Sequence, residues 1–360
     1  MVMNINDWIR PQIQKLSAYH IPAVNNDVVK LDAMENPYVW PDDLVSQWLE
    51  CLRAASLNRY PDPQAKSLKQ SIRETMRIPD NMDLLLGNGS DEIIQLILMA
   101  MAEPGRTVIA PEPSFVMYEL ITKALGMSYV GVPLNEKFDL DLKVMLDVIK
   151  ETNPAVVFLA YPNNPTGNLF DHNAISSIIQ ACNGLVVVDE AYFAFTDSTF
   201  MESLVSNPNL VVMRTLSKMG LAGLRIGYLA GHPSWLNEFE KIRLPYNINV
   251  LSQVSAQFAL QNIAVLNEQS KRIVNDRASV SQALQKIEGL QVFPSDANFI
   301  LFKVLDGDAN IIYKNLLNKG ILIKNLSASN NPILHNCLRV TVGTAKENAT
   351  FLSALKLEFV

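Results

Sequence analysis

A chain of 360 residues, 49% hydrophobic and 18% charged, is too large for one small core and too apolar for a disordered or collagen-like polymer. A net charge of −6 without long runs of Lys or Arg excludes a nucleic-acid scaffold or an anionic membrane surface as main partner, which leaves a small molecule. Cys51, Cys182 and Cys337 stand far apart with no C-x-x-C spacing, so neither a disulfide framework nor a zinc cluster is expected, and a cytoplasmic setting fits.

In chain order, residues 1–45, with Pro11, Pro22, Pro37 and Pro41, predict an irregular arm that packs on the C-terminal unit or on a neighbouring subunit. Its first ten residues lack the apolar stretch of a signal peptide. Residues 46–248 are expected to form a large ligand-binding domain. Within it, from about residue 80 to 230, short apolar runs alternate with helical patterns, and 107–110, 155–160, 185–188 and 210–213 read as strands apolar on both faces. The longest apolar run, 93–102, is too short to span a bilayer and reads as a buried helix. This alternation predicts an α/β fold on a mostly parallel sheet, whose ligands gather beyond the strand carboxyl ends. Residues 249–360 are expected to form a smaller α+β domain: one helical segment from 250 to about 288 closed by Gly289, then strands at 299–304 and 337–342. In the last strand alternation puts Leu338, Val340 and Val342 on one face and Arg339 on the other, so burial aims Arg339 into a cavity.

Chemistry concentrates at the strand ends. The segment Thr215-Leu216-Ser217-Lys218-Met219-Gly220 follows the strand at 210–213, with Arg225 seven residues after Lys218. A lysine there, beside glycines and an arginine, suits a Schiff-base amine next to an anion clamp in which Ser217 and Arg225 hold a phosphate; by itself the segment equally fits a solvated lysine in a glycine-rich loop. Gly87-Asn88-Gly89-Ser90-Asp91-Glu92 reads as a turn into a helix start, where Ser90 and Asp91 either cap the helix or meet a phosphate. Glu92 stands where a dinucleotide fingerprint has its third glycine, and no Walker lysine is present, so NAD and ATP lose ground.

Asp189-Glu190-Ala191-Tyr192 puts an acid at the end of a buried strand and a phenol three residues later. Such a carboxylate can keep a pyridinium nitrogen protonated while the phenol bonds the ring's 3-oxygen. An Asp-Glu pair in that position is as often a metal site, but no histidine or further carboxylate cluster accompanies it, and no metal is expected. Asn163-Asn164-Pro165-Thr166-Gly167 alone is a turn, and Phe115 alone is a core aromatic or a ring that lies on a cofactor.

Taken together and in order, Gly-Ser-Asp, Pro-Ser-Phe, Asn-Pro-Thr-Gly, Asp-Glu-Ala-Tyr, Ser-Lys and Leu338-Arg339-Val340-Thr341-Val342-Gly343 resemble the pyridoxal-phosphate enzymes of the aspartate-aminotransferase fold (fold type I). The resemblance implies Lys218 as the Schiff base, Asp189 on the pyridine nitrogen, and Asn164 and Tyr192 on the 3-oxygen. It further implies Phe115 on the ring and Ser90, Asp91, Ser217 and Arg225 around the phosphate of pyridoxal 5'-phosphate. With Leu16-Ser17-Ala18-Tyr19, Met34-Glu35-Asn36-Pro37-Tyr38 and Asn58-Arg59-Tyr60-Pro61-Asp62, the chain is most similar to the histidinol-phosphate aminotransferases. That family implies transamination of L-histidinol phosphate with 2-oxoglutarate, giving imidazole acetol phosphate and glutamate in histidine biosynthesis. It also implies a homodimer in which Tyr60 reaches the neighbouring site, and Tyr19 and Arg339 facing the substrate phosphate.

The chain departs from the family's pattern in two places. Lys324 stands where the family usually has an arginine, giving a point charge without a bidentate fork, and the step from Lys218 to Arg225 is one residue shorter than in many relatives, which calls for a tighter turn at Gly220. Rival expectations are an aromatic amino-acid aminotransferase, with Arg339 on a carboxylate, a threonine-phosphate decarboxylase of the same fold, and a non-catalytic ligand sensor. Lys218 and Asp189 speak against the last.

Overall fold

The structure, a computed structural model, describes residues 4–18, 28–329 and 331–359. After a short strand β1 (Val29–Lys30), strands alternate with helices through β2 (Asp83–Asn88), β3 (Thr107–Glu112), β4 (Ser128–Pro133), β5 (Val156–Ala160), β6 (Leu185–Asp189), β7 (Leu210–Thr215) and β8 (Ile226–Gly231). The seven strands β2 to β8 form one sheet in the order β2-β8-β7-β6-β5-β3-β4. β8 runs antiparallel to β2 and β7, and the remaining pairings are parallel.

Every residue of β5, β6 and β7 is buried, because the sheet is covered on both faces and both sets of alternating side chains must be apolar. Val157, Leu159, Val186, Val188 and Val212 enter one core, while Val156, Phe158, Leu185, Val187 and Val211 enter the other. The sheet's ladder therefore brings the carboxyl ends of β5, β6 and β7 side by side, with Ala160 opposite Asp189 and Asp189 opposite Met213.

Further along come β9 (Leu290–Val292), β10 (Phe299–Val304), β11 (Ile321–Leu322), β12 (Lys324–Asn325) and β13 (Cys337–Thr341). β12-β13-β10-β9 form an antiparallel sheet, whereas β11 pairs in parallel with β1. The N-terminal segment thus adds a strand beside this second unit, and it also touches the first, since Arg10 donates to the carbonyl of Ala124 at 2.9 Å. A helix, Asp42–Arg53, begins inside the segment expected to be irregular: Pro41 sets an extended entry, and Asp42 and Asp43 place negative charge at the positive end of the helix.

The single helical segment expected from residue 250 is two helices, Val250–Gln261 and Ile263–Gln285. The break falls at Asn262, whose side-chain amide donates to the carbonyl of Phe258 at 3.0 Å and so competes with the next helical turn. Among the described residues no helix is long and apolar enough to cross a membrane.

Candidate active site

β7 delivers its chemistry through an unusual turn. Ser217–Leu221 winds as a π-type turn in which Gly220 has φ +119°, and a Cβ there would stand 2.9 Å from the Asn36 side chain. Glycine is therefore the residue that lets the chain turn this tightly between Lys218 and Arg225. Nζ of Lys218 donates to the carbonyl of Ala33 at 3.2 Å and lies 6.0 Å from the centroid of the Tyr192 ring. Burial, aided by the positive charge of Arg339, pulls its pKa down to about 8.

At the end of β6, the Asp189 carboxylate is only 4% exposed, and burial pushes its pKa up to about 6. Two donors hold it: the Tyr118 hydroxyl on Oδ2 at 2.6 Å and the Ala191 N–H on Oδ1 at 3.0 Å. Tyr118 is a residue that motif reading passes over, though its place three positions after Phe115, as the chain enters a helix, puts the two side chains on one face. Its ring meets Phe115 edge-on at 5.6 Å and stacks on Phe158 at 4.5 Å. Burial and the Asp189 charge hold the Tyr118 phenol well above its ordinary range, so it stays a donor.

Opposite this end the start of a helix meets Ser217 and Arg225. The helix Ser90–Met101 starts from Gly89, at φ +81°, and no side chain caps it, so the capping role open to Ser90 and Asp91 is not what they do here. Arg225 donates to Oγ of Ser217 at 3.3 Å and stands 3.6 Å from Oδ2 of Asp91. Oγ1 of Thr215 lies 2.9 Å from the same serine hydroxyl. β8 can approach this helix start because Gly227 has no side chain: a Cβ would come within 2.6 Å of the carbonyl carbon of Gly89 and 2.7 Å of the Ser90 nitrogen.

Ser90, Asp91, Phe115, Asn164, Asp189, Tyr192, Ser217, Lys218 and Arg225 line one cavity together with Met34 and Thr215. A neighbouring cavity of about 630 Å³ shares Met34, Phe115 and Asn164 with it and holds Arg339 and Lys324. Arg339 is 6% exposed, on a strand buried at every position, with Nη1 donating to Oδ1 of Asn164 and Nη2 to the Asp32 carbonyl at 3.0 Å. Lys324 pairs with Arg339 in the ladder between β12 and β13, and burial together with that guanidinium lowers its pKa. Tyr60 lines neither cavity: it is 81% exposed and stacks on Tyr246 at 4.5 Å. Tyr19 lies outside the described residues.

Besides Tyr118, Met34 and Asn36 have no place in the site as read from strand ends: the segment 34–38 enters only as part of the resemblance, because it belongs to the N-terminal segment. Asn36 donates to the carbonyl of Met219 at 3.2 Å and to Gln269 at 3.0 Å, bracing the turn that carries Lys218.

The donor set fits pyridoxal phosphate. An uncapped helix start, Ser217 and Arg225 suit its phosphate, the buried Asp189 suits a pyridinium nitrogen, the amine of Lys218 suits its aldehyde, and the ring of Phe115 suits its face.

Comparison with known proteins agrees with this chemistry. Residues 26–355 match the family model for aminotransferase class I and II. Over 352 residues the chain is 57% identical to "Histidinol-phosphate aminotransferase 2" of Nitrosococcus oceani, covering 98% of this chain and 97% of that protein. It is 48% identical to "Histidinol-phosphate aminotransferase 2" of Cupriavidus pinatubonensis, over 96% of this chain and 95% of the other. Among solved structures, histidinol-phosphate aminotransferase from Sinorhizobium meliloti in complex with pyridoxal-5'-phosphate aligns with a TM-score of 0.85 at 25% identity, covering 97% of each chain.

Proposed function

Since the chain belongs to the histidinol-phosphate aminotransferases, within the class I and II aminotransferase family, we propose that it moves the amino group of L-histidinol phosphate to 2-oxoglutarate, yielding imidazole acetol phosphate and glutamate in histidine biosynthesis. The observation that carries the reading is the pair of adjoining cavities, one around Lys218 and Asp189 and the other holding Arg339 and Lys324. Two cations in a partly buried cavity suit a phosphate dianion, because charge-assisted hydrogen bonds to it are stronger than those a neutral tail could accept.

Pyridoxal phosphate, when bound, supplies an aldehyde that links covalently to amines and a ring that draws electrons from the donor's α-carbon. The chain's own residues do the rest. Asp189, held by Tyr118 and Ala191, presents a fixed negative charge to a ring nitrogen. Lys218, with a pKa near 8, has a large neutral fraction at mildly alkaline pH, so its Nζ serves first as nucleophile and then as the base that lifts the α-proton. Tyr192 and Asn164 offer hydrogen bonds at the ring's 3-oxygen, while Phe115 covers one face. Arg339 and Lys324 anchor the far end of the substrate and so orient its Cα–H bond.

A homodimer is part of the same reading. Its support is the exposed pair of Tyr60 and Tyr246, stacked on each other, with exposed Leu57 and Leu244 close to them in the chain, apolar surface that a second copy would cover while Tyr60 enters its site. A cytoplasmic setting accords with free cysteines at 51, 182 and 337.

The test is a panel of histidinol phosphate, histidinol, phenylalanine and phosphothreonine, each with 2-oxoglutarate, on protein whose yellow chromophore borohydride fixes to Lys218. Histidinol phosphate is the favoured donor. Faster turnover of phenylalanine, or equal turnover of histidinol and its phosphate, assigns the chain to aromatic amino acids instead, and loss of CO2 from phosphothreonine assigns it to decarboxylation.

A further inference from the structure

Directly behind the site, on the sheet face away from Asp189, lies an ion pair that the mechanism above does not use. Glu190 follows Asp189 at the end of β6, is fully buried, and points away from the cavity because neighbouring residues alternate across the sheet. Its carboxylate accepts from Nε of Arg214 at 2.8 Å, from Nη2 of Arg214 at 2.7 Å and from the Phe200 N–H at 2.6 Å. Thr199 gives its hydroxyl to the same carboxylate at 2.9 Å. Arg214 lies on β7, four residues before Lys218, with its guanidinium 4.5 Å over the Phe193 ring and Nη1 3.5 Å from the Tyr228 hydroxyl of β8. Neither Glu190 nor Arg214 lines the cavity around Lys218 or the one that holds Arg339.

We propose that the Glu190–Arg214 pair is a positioning element for the reaction: it clamps the ends of β6 and β7, and Arg214 cancels the Glu190 charge so that Asp189 faces the ring nitrogen without a second bare carboxylate behind it. A buried ion pair of this kind gives little net stability against an apolar replacement, so its use here is electrostatic and geometric. The balance matters because the Glu190 charge acts on Asp189 in the direction that raises its pKa. The titratable groups whose charge the pair acts on are Tyr228, Tyr161 and, across the sheet, Asp189, and the two tyrosines are held above their ordinary range, chiefly by burial, and stay neutral. Removing Arg214 alone leaves one uncompensated negative charge under the site. Removing both partners leaves none.

The inference rests on the aminotransferase reading, and its test reads the cofactor rather than turnover. Protein loaded with pyridoxal phosphate is titrated with pH and the midpoint of its visible absorbance recorded for wild type, Arg214→Met, Glu190→Gln and the double variant. A bare carboxylate favours the protonated chromophore, so Arg214→Met moves the midpoint up by about half a pH unit or more, Glu190→Gln moves it down, and the double variant returns towards wild type. A double variant at least as far from wild type as Arg214→Met, or single variants that lose turnover without moving the midpoint, reduces the pair to packing and overturns the proposal. If Arg214→Met does not fold, Glu190→Gln decides: a downward midpoint supports the proposal, and an unchanged or upward one overturns it. Wild-type turnover of histidinol phosphate, measured alongside, judges the substrate reading separately, because the midpoints do not depend on the donor.

Discussion

Oδ1 of Asn164 accepts a hydrogen bond from Nη1 of Arg339, so the loop after β5 and the middle of β13 meet where the two cavities adjoin. The amide nitrogen of Asn164 is then the end of that side chain with protons to give on the cofactor side. Arg339 accordingly sets which way Asn164 faces, and in the proposed reading it would also be a cation for the substrate.

Arg339→Ala therefore lowers kcat/KM for histidinol phosphate by about 2 to 5 kcal/mol, because a buried charge partner is lost and Asn164 is freed. Arg339→Lys recovers part of this, keeping the charge but not both directed bonds. Steady-state kinetics with histidinol phosphate and 2-oxoglutarate, which follow a ping-pong pattern in the wild type, check both variants.

Tyr118→Phe removes the hydroxyl that donates to Asp189 and leaves the stacking on Phe158 intact. That bond favours the ionised carboxylate, so its loss raises the Asp189 pKa above about 6. Pyridoxal phosphate then binds about tenfold more weakly near neutral pH, and the deficit narrows as pH rises through the new pKa. Cofactor titrations between pH 6 and about 9 read it directly.

The depressed pKa of Lys218 sets the pH course of cofactor uptake. Only the neutral amine attacks an aldehyde, so the rate at which cofactor-free protein becomes yellow rises about tenfold per pH unit below about 8 and levels off above it. A rise centred near 10.5, the ordinary lysine value, would mean that Lys218 is solvated.

If, as proposed, Tyr60 enters the neighbouring site of a homodimer, Tyr60→Ala and Lys218→Ala are each inactive as pure proteins, yet co-incubation under conditions of subunit exchange restores activity, since a mixed dimer would contain one site with both residues. Activity that stays absent although exchange is demonstrated by mass measurement assigns Tyr60 a role outside the neighbouring site.

Gly227→Ala weakens cofactor binding and lowers the melting temperature. Its Cβ meets backbone atoms of Gly89 and Ser90 at 2.6 and 2.7 Å, and backbone does not yield as a flexible side chain does. The strain costs about 1 to 3 kcal/mol, and a thermal melt with a cofactor titration measures both effects.

The strand ends were legible in the sequence because their signals are local. A run buried on both faces, such as residues 185–188, announces a strand, and the acid that follows it must emerge at the sheet's carboxyl edge. Lys218, Asp189 and Asn164 were each placed near a strand end in this way, while the roles expected of them came from the resemblance. Tyr118 was not, because its bond to Asp189 joins residues 71 positions apart and neither lies in a recognisable spacing with the other. Met34 reaches the cavity, and Asn36 the turn behind Lys218, from a segment that pairs β1 with β11, a pairing of two short strands that hydrophobic alternation cannot foretell. The break at Asn262 was hidden for another reason: the apolar pattern runs on across it, and the side chain that interrupts the helix does so by bonding backbone.

The uncapped start of the helix Ser90–Met101 ties the cofactor to the endurance of the fold. A helix whose first N–H groups lack a side-chain partner gains when an anion meets them, so occupancy and conformational stability are linked. At a free cofactor concentration of 100 times Kd the linkage amounts to about 2.7 kcal/mol. Loss of the cofactor then lowers the stability of the fold as well as removing its chemistry, and a less stable chain spends more time open to proteolysis.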